Sequence, residues 1–213
     1  MKERPILFSS PMVRAILDGR KTQTRRVIRV QPCVINGVFT HHKRGPVWES
    51  GKPDVCPHGQ FGDLLYVKEA TWIWCRKAAD GKTKTGRDKF RYYPHGREVR
   101  YYADCAGKPE RQPYAEPNMV WKYKTARFMP RWSSRIQLEI TEVRAERVAA
   151  ISETDAMDEG VGISGADYPQ WDGDPDQYRK LFRERWNIIN ETRGWSWAAN
   201  PWVWAITFKR IKP

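Results

Sequence analysis

The residues of this chain with the strongest chemical character stand together near its start, in Gly19-Arg20-Lys21-Thr22-Gln23-Thr24-Arg25-Arg26-Val27. Four cations fall within seven residues, and threonine hydroxyls are set among them. A pure charge run reads as a solvated face. A lysine and hydroxyls placed just past a tight helix end read as a site. Arg20, Lys21, Thr22, Arg25 and Arg26 supply donors for phosphate, carbonyl or carboxylate groups. The plainer reading of the same residues is a basic surface strand whose Lys21 pairs with any nearby acid.

Several elements must position that segment. Ile6–Phe8 reads as a short strand. Ser10-Pro11 is an N-cap followed by proline at the first helical position, and Met12, Val13, Ile16 and Leu17 repeat at helical spacing. The helix Pro11–Asp18 therefore ends at Gly19, where a C-cap glycine belongs. Asn36-Gly37 suggests a hairpin turn. Gly62-Asp63 leads into a strand over Leu64–Val67, continuing through Lys68, Glu69 and Trp72–Trp74. Phe90–Tyr93 and Val99–Tyr102 read as two short strands paired across Pro94-His95-Gly96. Ile136, Leu138 and Ile140 alternate along a half-buried strand. Ser152-Glu153-Thr154-Asp155 opens a short helix that stops at Gly160. Tyr178, Leu181, Phe182, Trp186 and Ile189 mark an amphipathic helix, and Trp202, Trp204, Ile206 and Phe208 a closing strand. Short strands scattered around few helices predict an α+β fold with a curled, barrel-like sheet.

Composition narrows the partners. The chain has 213 residues, enough for one well-cored domain with generous loops, and a formal charge of +13. That charge favours polyanions. Eleven Trp, nine Tyr and seven Phe, many beside Arg or Lys, suit the stacking of bases, although the C-terminal tryptophans read as core. Lys82, Lys84, Arg87, Lys89 and Arg91 offer a second phosphate-tracking surface or a solvated loop. Cys33, Cys56, Cys75 and Cys105 form no CxxC pair. Cys56 and His58 near His41 and His42 match no standard zinc spacing, so neither metal nor cofactor is expected. The chain shows no apolar run long enough to span a bilayer and no signal peptide, so a cytoplasmic location is expected and a membrane partner is not.

Ile16-Leu17-Asp18-Gly19-Arg20-Lys21-Thr22-Gln23-Thr24-Arg25-Arg26 resembles the signature of ASCH domains, which are PUA-like, and especially the phage-borne and bacterial members with long insertions. Gly62-Asp63-Leu64-Leu65-Tyr66-Val67 looks like the family's Gly-Asp turn and following strand. The strand Ile136–Val143, the helix with Asp155, Glu159 and Gly160, and Trp202–Phe208 follow in the expected order. The resemblance covers roughly half the chain. It implies a single ASCH-like domain over residues 1–213, with insertions at about 30–60, 73–130 and 162–177 and a small PUA-like β-barrel. It also implies a pocket lined by Gly19–Arg26, with Asp63 at its turn, that takes RNA or a modified nucleoside.

One bacterial branch of that family hydrolyses the acetyl amide of N4-acetylcytidine with a lysine, a threonine three positions on and a glutamate on a later helix. Lys21 and Thr24 match with the same spacing, and Glu159 falls nearest the glutamate. An amidohydrolase would use Thr24 as nucleophile, Lys21 as base with its pKa drawn down by burial and neighbouring cations, and Glu159 to orient Lys21 or pass the proton. Arg26 would steady the oxyanion. Residues three apart on a strand point to opposite faces, so Lys21 and Thr24 converge only if the chain bends after Gly19. A third class is a phage structural or host-interaction protein, with a protein partner the sequence does not identify.

Overall fold

The computed structural model describes residues 1–29, 31, 33–35, 38–40, 56–105, 107–110, 116–161 and 174–211, with backbone alone for 33–35 and 38–40. The fold is α+β. Among the described residues ten strands run as β1 (Glu3–Leu7), β2 (Gln23–Val27), β3 (Cys33–Ile35), β4 (Val38–Thr40), β5 (Leu64–Lys68), β6 (Thr71–Lys82), β7 (Asp88–Tyr101), β8 (Met119–Lys124), β9 (Gln137–Arg147) and β10 (Trp202–Ile211). The helices are α1 (Ser10–Leu17), α2 (Glu153–Asp158) and α3 (Gln177–Asn190).

The chain divides into two compact units. The first comprises Met1–Arg4, Ala15–Leu65 and Ile136–Pro213; the second comprises Pro5–Arg14 and Tyr66–Arg135. A five-stranded sheet has the order β1-β5-β9-β10-β2, and β2, β10 and β9 lie wholly in the first unit. The order is linear, with β1 and β2 at opposite ends. The barrel-like sheet expected from the sequence is thus an open one, because β1 and β2 do not pair to close it. A buried cluster of this unit joins Val148, Ile151, Ala156, Val161, Phe182, Trp186 and Val203, so Ala156 of α2 and Phe182 and Trp186 of α3 pack with β10, whereas Ile189, expected on the apolar stripe of α3, is exposed. Full burial of each large side chain stabilises by about 2 kcal/mol.

Local signals place these elements. Ser152 Oγ accepts from Asp155 N at 3.0 Å, which caps α2. Gly19 and Gly160 take φ of +77° and +70°, ending α1 and α2 in the left-handed region that glycine adopts without a Cβ clash. β3 and β4 pair antiparallel, whereas Asn36 and Gly37 lie outside the described residues. So do 162–173, the side chain of Cys33, and His41 and His42, two of the residues weighed for a metal.

The second unit holds a three-stranded sheet of order β7-β6-β8, with Trp74, Met119 and Trp121 as its buried cluster. Two expectations change here. The chain does not run as one strand from Leu64 to Trp74: β5 ends at Lys68 and β6 begins at Thr71, in another sheet. Phe90–Tyr93 and Val99–Tyr102 do not pair with each other. Residues 90–93 and 99–101 belong to one strand, β7, and both stretches pair with β6: Phe90 opposite Ala79, Val99 opposite Ile73. The register shifts between Ile73 and Cys75, where the β7 partner jumps from Val99 to Pro94. The Pro-His-Gly signal marks a bulge, which carries the extra residues without reversing the chain.

Candidate functional site

All the chemistry-bearing residues of the Gly19–Arg26 segment lie in the first unit. After α1 the chain turns on Gly19, and the amides of Arg20 and Lys21 both donate to Ala15 O, at 2.9 and 3.0 Å. Thr22 N donates to Asp158 O at 2.9 Å, and Thr22 O accepts from Phe208 N at 2.8 Å. The segment is therefore stitched to the end of α2 on one side and to β10 on the other before β2 begins.

The charged Lys21 side chain is fully buried. Its Nζ donates to Gln23 O at 2.8 Å, to Glu159 O at 2.7 Å and to Glu159 Oε2 at 2.7 Å. Three acceptors match the three donors of an ammonium. Burial pulls the Lys21 pKa below its ordinary value, the Glu159 carboxylate pulls it back up, and Arg26 and Arg25 push it down again. Burial and the carboxylate thus oppose each other across one short hydrogen bond.

Arg25, two residues into the strand from Gln23, is likewise inside. Its Nε donates to Glu146 Oε1 at 2.7 Å, Nη1 to Gln23 Oε1 at 2.8 Å and to Glu159 Oε1 at 3.4 Å, and Nη2 to Asp155 Oδ2 at 2.9 Å. Gln23 Nε2 donates to Asp155 Oδ1 at 3.0 Å. Arg144 Nε donates to Glu146 Oε2 at 3.0 Å, and its Nη1 to Glu142 Oε2 at 3.1 Å. Strand register explains the gathering. Arg25, Ala205 and Arg144 face one another across β2, β10 and β9, as do Gln23, Thr207 and Glu142. Ala205 in the central strand leaves room for two guanidinium groups to share carboxylates above it. Lys21, Arg25, Arg26 and Arg144 stand against Glu142, Glu146, Asp155 and Glu159, so the segment that reads as a positive patch is charge-balanced in the fold.

Comparison of the chain with protein-family models, with curated proteins and with solved structures gives no match.

The structure brings Lys21, Arg25 and Glu159 together. Thr24 is also buried, but it pairs with Ile206 and alternates with Gln23 and Arg25 onto the other face of β2. Arg26 is half-buried; burial lowers its pKa and the Glu159 charge raises it. Arg20 donates to Asp18 Oδ2 at 2.7 Å. Asp63 is a turn residue: its Oδ1 accepts from Lys2 N at 2.7 Å and its Oδ2 from Gln60 N at 3.4 Å, which ties down the N-terminus. Those bonds, the Lys2 amide first, hold its carboxyl below the usual range. Sequence reasoning missed Gln23, Glu142, Arg144 and Glu146, and took Asp155 only for a cap. The available signal was the alternation Glu142-x-Arg144-x-Glu146, a charged face on a strand otherwise bound for the core.

Gly160 sets how closely α2 approaches Lys21. A Cβ built there lies 3.0 Å from both Ala15 Cβ and Lys21 Cβ. Gly160→Ala adds that clash to a left-handed backbone that costs an L residue about 1–2 kcal/mol. We expect Gly160→Ala to destabilise the first unit by about 2 kcal/mol or more, read as faster exchange of β2 and α2 amides. Unchanged exchange would remove Gly160 from any role in positioning Lys21.

Proposed function

We propose that this chain is an ASCH-type, PUA-like domain that binds RNA or a modified nucleoside beside the Lys21–Glu159 couple. One observation carries the reading: Lys21 Nζ lies 2.7 Å from Glu159 Oε2, although the two are 138 residues apart in sequence. The resemblance expects a lysine after the first helix and a glutamate on a later helix to work together, and only the fold decides whether they meet. A buried ion pair is a poor way to gain stability, because desolvation offsets most of the attraction. Its presence fits a role in recognising a polar ligand group. Half-buried Arg26, next to this couple, is a natural donor to a base carbonyl.

Hydrolysis of N4-acetylcytidine is the second reading, favoured by the downward pull of burial on the Lys21 pKa. Thr24 Oγ would attack the acetyl carbonyl carbon and give its proton, by way of Lys21, to the departing N4. Cytidine would leave, and water would release acetate from the threonine ester. This needs Thr24 and Lys21 to converge past the strand edge.

The test measures equilibrium binding of N4-acetylcytidine, cytidine and a short RNA, with cytidine release followed by chromatography. Saturable binding that Lys21→Met weakens at least tenfold supports the site. Release that Thr24→Ala abolishes while binding persists identifies the hydrolase. If neither nucleoside nor RNA binds, or if Lys21→Met binds as well as wild type, the proposal fails and a protein-interaction role takes its place.

A further inference from the structure

The positive charge of this chain is concentrated in one unit. The first unit holds twenty Lys and Arg against eighteen Asp and Glu, and the second holds eighteen against seven. Nearly all of the net +13 thus belongs to the second unit, where the described ion pairs hold Lys89 and Arg91 on Asp80 and Arg135 on Glu69 and Asp104. One strongly basic part of it is the far end of the β6–β7 hairpin. Residues 76–92 carry seven cations and two aspartates.

This end of the hairpin has no core of its own. The β8 register ends at Met119 opposite Arg76, and after the bond from Lys77 N to Asn118 O at 2.8 Å β6 pairs with β7 alone among the described residues. Every residue from 81 to 91 is exposed. A two-stranded ribbon with both faces in water is marginal without help. Here the help is local. Lys77 Nζ sits 3.7 Å from the Phe90 ring centroid, and Lys122 Nζ 4.1 Å from that of Tyr92. The tip is also built: Thr83 N donates to Arg87 O at 2.7 Å, Gly86 N to Thr83 O at 2.9 Å, and Arg87 N to Thr83 Oγ1 at 3.1 Å. A defined turn therefore holds Lys82, Lys84 and Arg87 together.

Lysines on an open edge commonly serve to prevent edge-to-edge aggregation. That accounts for the cations and not for the rings. Phe90 is 37% exposed and Tyr93 46% exposed, on opposite faces of the ribbon, where bare aromatics would favour the association that lysines prevent. Exposed rings on a ribbon whose tip carries Lys82, Lys84 and Arg87, which form no ion pair among the described residues, are instead the pattern that holds a single strand, with rings stacking on bases and cations tracking phosphates. We infer that the β6–β7 ribbon is a binding arm for single-stranded nucleic acid, separate in residues from the Lys21–Glu159 site and able to supply most of the backbone affinity.

The experiment titrates full-length protein with fluorescein-labelled 20-nucleotide single-stranded RNA, single-stranded DNA and a 20-base-pair DNA duplex across salt concentrations. For Lys82→Ala/Lys84→Ala/Arg87→Ala we expect at least tenfold weaker single-strand binding at about 100 mM salt. The slope of log K against log salt should become shallower by about two, at roughly 0.7 per lost phosphate contact on a single strand. Phe90→Leu/Tyr93→Leu, which keeps the ribbon apolar and the charge unchanged, should weaken binding with the slope intact. Circular dichroism reports whether either variant has unfolded. Triple-variant affinity and slope equal to wild type would overturn the arm, as would duplex bound more tightly than either single strand. If Lys21→Met abolishes RNA binding and the arm variants do not, the arm fails and the proposed nucleoside site stands. If arm variants lose the strand while N4-acetylcytidine still binds, the arm stands by itself.

Discussion

Replacing Glu159 by alanine should destabilise the first unit by about 3–5 kcal/mol, the usual cost of leaving one member of a buried ion pair unpaired. The Lys21 side chain has no exposed surface and that of Glu159 only 6%. After the substitution the Lys21 ammonium keeps two backbone carbonyls and loses its counter-charge, and Arg25 loses its Glu159 acceptor. Two further readouts separate this from a generic packing defect. The penalty should shrink as pH rises, because Lys21 can escape by releasing its proton once no carboxylate holds it. The double variant Lys21→Met/Glu159→Leu should recover most of the stability, since well-packed apolar replacements of buried ion pairs are often neutral or better. On the proposed nucleoside site, this variant should fold and yet bind no nucleoside. Amide hydrogen exchange of β2 and α2 reports on this unit alone. A loss below about 1 kcal/mol for Glu159→Ala, or a double variant no better than the single, would show the couple to be weaker than its geometry implies.

How much of this was legible follows the range of each interaction. The turn at Gly19, the Ser152 cap and the apolar stripe of α3 are decided within a few residues, and the sequence carries them openly. Strand pairing is decided elsewhere. The stretch from Leu64 to Trp74 reads as continuous because each residue favours extended backbone, yet the chain changes sheets between Lys68 and Thr71. Pro94-His95-Gly96 carries every mark of a hairpin turn, but β6 offers a partner to the strand on both sides of it, and a bulge keeps both pairings. The site divides in the same way. Lys21 stands out by its place after a helix end, and Glu159 only through a family pattern. The meaning of Arg25 could not be read locally at all: its acceptors Glu146, Asp155 and Glu159 lie more than 120 residues away, and they turn an apparent phosphate-binding cation into a buried structural one. The cations that look least informative in sequence, in the loop around Gly86, are the ones the fold leaves available.

Acid should loosen the first unit in two stages. His58 is half-buried, and burial together with Arg26, Arg29 and Arg4 holds its pKa down at about 4, against 6.5 in an unfolded chain. Between those values the unfolded chain takes up a proton that the folded one refuses, so the stability His58 contributes is complete above pH 6.5 and is lost as pH falls toward 4. Asp155 follows below that. Burial pushes its pKa up, but hydrogen bonds from Gln23 and Arg144 and the charges of Arg25 and Arg144 outweigh it and hold the carboxyl under its ordinary value. Its contribution is full above pH 3.8 and disappears as pH falls through the lower folded value. The expected stability curve therefore declines from pH 6.5 and steepens below 4. His58→Gln should flatten the first decline and spare the second, and Asp155→Asn should do the reverse while costing stability at neutral pH. The imidazole proton shifts of His58 give the direct check, and titration near pH 6.5 would remove the first stage.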